Sequence, residues 1–132
     1  MAELDYAFLA EFAKVERGLL NCFGASYTHV FIPKLPSTHS LNVAGRIRAD
    51  VGEDPSLSII ASSPSNQYEI TFGMVPSGLK EVRSYNGKIG ILFAASGPIP
   101  IVEMGLYRIA IDLDGKRVRN LAFEVEVESP SL

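Results

Sequence analysis

Cysteine occurs once in this chain, at Cys22, and tryptophan does not occur. A single cysteine excludes an internal disulfide and any zinc site built on cysteines. Without tryptophan, the chain lacks the largest flat aromatic face on which a sugar ring stacks. Histidine is nearly as scarce, with only His29 and His39, so a zinc site would have to draw carboxylates into its shell. Charged residues make up 20% of the chain and the net charge is −3. That balance provides no basic patch for DNA or RNA and no polybasic signal for a membrane surface. No stretch approaches the roughly 18 uncharged apolar residues that a spanning helix needs. Glu3 and Asp5 stand where a signal peptide would carry positive charge. Together with the missing disulfide, these features lead to the expectation of a cytoplasmic protein with no cofactor and no nucleic-acid or membrane partner.

Apolar side chains are abundant, at 47% of 132 residues. A chain of this length reads as one globular domain, 1–132, with enough material for a core. Small domains bury a smaller share of their surface than large ones, so part of this apolar excess is expected against another subunit, as in a homo-oligomer.

From Leu41 onward the pattern has period two, the mark of half-buried strands. Leu41, Val43, Gly45 and Ile47 alternate with Asn42, Ala44, Arg46 and Arg48. Leu57, Ile59 and Ala61 repeat the pattern, as do Tyr68, Ile70 and Phe72, then Ile89, Ile91 and Phe93, then Tyr107, Ile109, Ile111 and Leu113. Turn residues separate the runs at Gly52–Pro55, Ser62–Asn66, Pro76–Gly78, Asn86–Gly87, Gly97–Pro100 and Asp114–Gly115. Many short strands punctuated in this way predict a sandwich or barrel.

The final hairpin can be registered from its side chains. Asp114–Gly115 suits a two-residue type I′ turn, which sets Asp112 opposite Arg117 and Ile111 opposite Val118. Continuing without a break would set Ile109 against Asn120. One extra residue near Arg119 or Asn120, a β-bulge, restores Ile109 to Leu121 and Tyr107 to Phe123. Leu121, Phe123, Val125 and Val127 then face the core, and Glu124, Glu126 and Glu128 form an acidic outer row that guards an edge strand.

The first twenty residues admit two readings. Leu4, Phe8, Phe12, Val15 and Leu19 recur at helical spacing. Alternatively, a strand from Asp5 to Val15 turns at Arg17–Gly18 into a second strand through Cys22 to Ile32, which sets Val15 opposite Leu20 and Phe12 opposite Phe23.

Three segments, YAFLAEFAKVERGLLNCFGAS (6–26), THVFIPKLPSTHSLNVAGRIRA (28–49) and GLYRIAIDLDGKRVRNLAFEV (105–125), together resemble a family of small, uncharacterised bacterial proteins, a domain of unknown function. Glu11 stands where its relatives are expected to carry Asp, so the resemblance assigns no fixed role to a carboxylate there. It implies a single immunoglobulin-like, all-β sandwich domain, with residues 5–15 as a strand. It implies no activity. Taken with the alternating runs and their turns, the expected fold is an immunoglobulin-like β-sandwich of seven or eight mainly antiparallel strands.

Catalytic constellations are missing: the chain has no GxSxG, no P-loop and no dinucleotide-binding fingerprint. Cys22 sits in an apolar run, where a cysteine usually acts as a small hydrophobe. If Val30–Ile32 pairs with His39–Leu41 around the proline corner, His29 and His39 lie three rungs, or about 10 Å, apart, too far to share one metal ion. The stretch Lys88–Val102 is apolar on both strand faces, with Gly90, Leu92 and Ala94 on the outer one. Those three residues are the expected contact with a second copy or another protein. The polar loop Ser62–Tyr68 supplies a competing small-ligand or carbohydrate site, with Ser62, Ser63, Asn66 and Tyr68 as contacts. The function expected is a non-catalytic, self-associating binding or protein-interaction module, and no enzyme.

Overall fold

A computed structural model describes residues 1–74 and 83–128. Its ten strands are β1 (Glu3–Glu16), β2 (Leu19–Ala25), β3 (His29–Ile32), β4 (Ser37–Asp50), β5 (Leu57–Ser62), β6 (Glu69–Met74), β7 (Ser84–Tyr85), β8 (Lys88–Ile101), β9 (Gly105–Leu113) and β10 (Lys116–Val127). They form two five-stranded sheets, in the orders β2-β1-β4-β8-β7 and β3-β10-β9-β5-β6. Every pairing is antiparallel except β3 with β10. The architecture is an immunoglobulin-like β-sandwich; counting the two-residue β7, the described residues hold ten strands where seven or eight were expected. The turn expected at Pro76–Gly78 lies outside the described residues.

Period-two alternation places the core. Leu41, Val43 and Ile47 from β4 and Ile89, Ile91 and Phe93 from β8 face Leu57, Ile59 and Ala61 from β5 and Tyr107, Ile109, Ile111 and Leu113 from β9, and all are buried. Buried Tyr107 keeps its hydroxyl satisfied, as a buried polar atom must. Its Oη donates to the Glu103 carbonyl at 2.8 Å and accepts from the Val102 amide at 3.1 Å. Two glycines mark close approaches. A Cβ on Gly45 would sit 2.2 Å from the Tyr6 carbonyl oxygen, and one on Gly97 would sit 2.3 Å from the Phe72 ring.

Four expectations need correction. The bulge in β10 falls at Val118: Arg117 pairs with Asp112 and Arg119 with Ile111, after which Leu121 meets Ile109 and Phe123 meets Tyr107 as expected. Over Glu124–Val127 the strand β10 is no edge, because β3 runs parallel along that stretch; Glu124 and Glu126 lie in a paired segment. Gly97–Pro100 is no turn but the second half of β8. Pro98 and Pro100 are tolerated there because, among the described residues, β7 pairs only with Lys88 and Ile89, so this half of β8 has no strand on its outer side and a missing N–H interrupts no ladder. Finally, β3 and β4 do not pair with each other. The Pro33–Pro36 corner carries the chain from one sheet to the other, so the histidine register drawn from a hairpin there does not exist.

The first twenty residues are strand. β1 changes partner midway: Glu3–Leu9 pair with β4 and Ala10–Glu16 with β2. Val15 meets Leu20 and Phe12 meets Phe23, around a turn in which Arg17 (φ 55°) and Gly18 (φ 72°) both take the left-handed conformation that a type I′ turn demands. The outer half of β1 and all of β2 thus form a two-stranded arm. This arm coils back over the sheet, since β2 touches β8 although β1 and β4 lie between them in sheet order.

Candidate functional site

The arm carries exposed apolar side chains on both faces, with Lys14, Glu16 and Asn21 sharing the face of Phe12 and Phe23. Phe12 and Phe23 stack with ring centroids 5.3 Å apart, yet they remain 43% and 64% exposed, and Leu19 is 66% exposed. On the opposite face Ala13 pairs with Cys22 and Val15 with Leu20. From Leu19 to Ala25 the strand carries no charged residue and no proline, and its outer edge has no strand beside it among the described residues. Native proteins usually blunt such an edge with lysine, proline or a bulge.

Between the arm tip and the outer face of the sheet lies a trough of about 530 Å³, lined by Leu19, Leu20 and Asn21 on one side and by Tyr6, Arg46, Tyr85 and Leu92 on the other. The Arg46 guanidinium lies 5.3 Å from the centre of the Tyr6 ring and 5.9 Å from that of Tyr85, within cation–π range of both. Its Nε donates to Asp5 Oδ2 at 2.7 Å. Gly90 leaves room for this stack, since a Cβ there would meet Arg46 Cδ at 3.3 Å and the Tyr85 ring at 3.4 Å.

The outer-face residues expected from the sequence therefore fall beside a feature of the chain's own making. Gly90 and Leu92 line the trough, while Ala94, paired with Ala44, is half-buried. In the Ser62–Tyr68 loop, polar groups bond to one another and to their neighbours. Ser63 is fully buried and its Oγ accepts from the Gln67 amide at 2.7 Å. Asn66 Oδ1 accepts from Arg108 at 2.6 Å, and the Tyr68 hydroxyl donates to the Pro100 carbonyl. Burial pushes the Tyr68 phenol up to about 12. Ser62 ends β5, half-buried. Ser65 donates to Glu103 at 2.6 Å, and this bond holds the Glu103 carboxyl below its usual range.

The histidines part company. His29 is exposed, bonded to Thr28 and stacked against Phe31. His39 is half-buried between Tyr27 and Phe123, with its Nε2 2.8 Å from the Tyr27 hydroxyl. Burial lowers the His39 pKa and lifts that of Tyr27 to about 12. Among the described residues no group of three or more His, Cys, Asp or Glu is arranged to hold a metal ion. Cys22, expected inside, is exposed on the arm.

Sequence reasoning paired Phe12 with Phe23 but missed that this pair, Leu19 and the Tyr6–Arg46–Tyr85 stack face solvent. The available signal was apolar residues on both faces of an Arg-Gly hairpin, since such a hairpin cannot bury both faces against one sheet.

The family model matching this chain, over residues 5–126, is described as a family of unknown function (DUF6941). A search of curated proteins gives no match. Among solved structures, an immunoglobulin-like protein from Pseudomonas aeruginosa is similar over 96% of this chain and 97% of its own, with 14% identity and a TM-score of 0.47. Alkylpurine DNA glycosylase AlkC from Pseudomonas fluorescens, bound to DNA containing an abasic site analog, is similar over 94% of this chain and 30% of its own, with 6% identity and a TM-score of 0.48. The chain thus spans less than a third of that glycosylase.

Proposed function

The chain belongs to this family of unknown function, and from that premise we propose that it is a non-catalytic protein-interaction module that associates with itself through the β1–β2 arm. The observation that carries this reading is the exposure of Phe12, Leu19 and Phe23 together on the arm. Phe12 and Phe23 form one stacked pair, with Leu19 two rungs away beyond Lys14 and Asn21, and large apolar side chains gathered in the open mark a contact with another macromolecule. The hairpin coils back over the outer face of the sheet, and Phe12, Leu19 and Phe23 stay open to solvent outside the core. The apolar composition of so short a chain supports the same reading.

The test is sedimentation velocity across a concentration series. The parent protein is expected to exceed monomer mass as concentration rises. The double variant Phe12→Ser, Phe23→Ser is expected to stay monomeric while keeping its sheet signal in circular dichroism. Monomer mass for the parent at every concentration would refute self-association.

A further inference from the structure

Resting on that reading, we infer that the contact is edge to edge: β2 pairs antiparallel with β2 of a second copy about a two-fold axis at Asn21, joining the two arms into one four-stranded ribbon. The backbone sets the possible registers. A two-residue turn makes Glu16↔Leu19 a hydrogen-bonded pair, and such pairs alternate along the ladder, giving Lys14↔Asn21 and Phe12↔Phe23. The N–H and C=O groups of Leu20 and Cys22 therefore point away from β1, to the free edge. Gly24 has a φ of +63° and leaves the strand geometry, so the usable edge is centred on Asn21.

With the axis at Asn21, Leu20 of each copy pairs with Cys22 of the other, and both pairs exchange their N–H···O bonds. Side chains then match rung by rung. On one face, Leu19 of the second copy extends the Phe12–Phe23 stack. On the other, Val15 and Leu20 continue into Cys22 and Ala13 of the second copy. The polar rung, Lys14 and Asn21, meets its own image. The paired segments themselves contain no charge, so no like charges are opposed. This agreement of both faces with a copy of the same strand favours a second copy over an unrelated peptide as the occupant.

Cysteine crosslinking tests the register. The two Asn21 residues form a non-hydrogen-bonded pair with Cα atoms about 4.5 Å apart, within disulfide range. The two Cys22 residues lie on a diagonal of about 7–8 Å, outside it. Under mild oxidation Asn21→Cys in a Cys22→Ser background is expected to convert to a covalent dimer, whereas the parent, with Cys22 alone, converts more slowly. The exposed change Asn21→Lys, which opposes two like charges at the axis, is expected to return the mass to that of a monomer with the sheet signal intact. Faster crosslinking by the parent would overturn this register. A dimer by mass that neither cysteine position traps would overturn edge pairing while leaving self-association standing. Monomer mass for the parent would remove both and leave the edge to a different chain.

Discussion

His39 shows how a single residue takes its meaning from tertiary surroundings. Its ring is half-buried between Tyr27 and Phe123, with Glu11 the carboxylate acting on Tyr27. Burial lowers its pKa from the ordinary 6.5, so on acidification the unfolded chain takes up a proton before the folded one does. Stability from this group is therefore fully present above the unfolded value and is lost as pH falls through the folded one. We expect the urea unfolding free energy to decline from about pH 8 to about pH 5, and His39→Gln to flatten that decline. An unchanged slope in the variant would show that other groups carry it. In the sequence His29 and His39 look like one feature, a pair flanking a proline corner. Nothing local reveals that the corner changes sheets, leaving one ring exposed beside Phe31 and the other against Tyr27. Cys22 carries the same lesson, since an apolar run implies burial only when something covers it.

At the scale of elements, the pairing of β1 with β4 depends on Gly45. A methyl group there would press on the Tyr6 carbonyl at 2.2 Å and the Ala7 Cα at 2.9 Å, backbone atoms that move only if the strand moves. Gly45→Ala is expected to cost roughly 2–3 kcal/mol in urea unfolding, as overpacking does. Gly90→Ala meets only side-chain atoms of Arg46 and Tyr85 at 3.3–3.4 Å and is expected to stay close to the parent. Equal losses in the two variants would contradict this account of strand contact. Much at this scale was legible. Alternation located the inward rows, Asp114–Gly115 set the last hairpin, and the need to bring Ile109 to Leu121 required a bulge within a residue or two of its observed place. Helical spacing in the first twenty residues competed with strand pairing because Phe12 and Val15 lie on opposite faces of a hairpin that carries apolar residues on both. The parallel strand β3 was not legible, since four residues carry no sign of which distant strand they will join.

Across the whole molecule, stability should be uneven. β4 is paired on both sides and its inner row is buried, whereas the arm has one ladder and two solvated faces. Local opening follows such differences, so in dilute solution hydrogen exchange should be faster at Phe12–Glu16 and Leu19–Phe23 than in β4 and β9. Equal protection would mean that the arm is packed down, and would remove the exposed surface on which the interaction reading rests. The all-β character of the chain from Leu41 onward, its inward rows and the type I′ turn at Asp114–Gly115 are written in the residues, because each follows from a two-residue period or from a φ that only certain residues accept. Tertiary structure alone decided the rest: the sheet exchange at the proline corner, β3 alongside β10, and the arm coiling back so that Leu19 and Leu20 overhang Arg46 and Leu92. Those outcomes depend on contacts between residues far apart in the chain, which alternation within one strand does not encode.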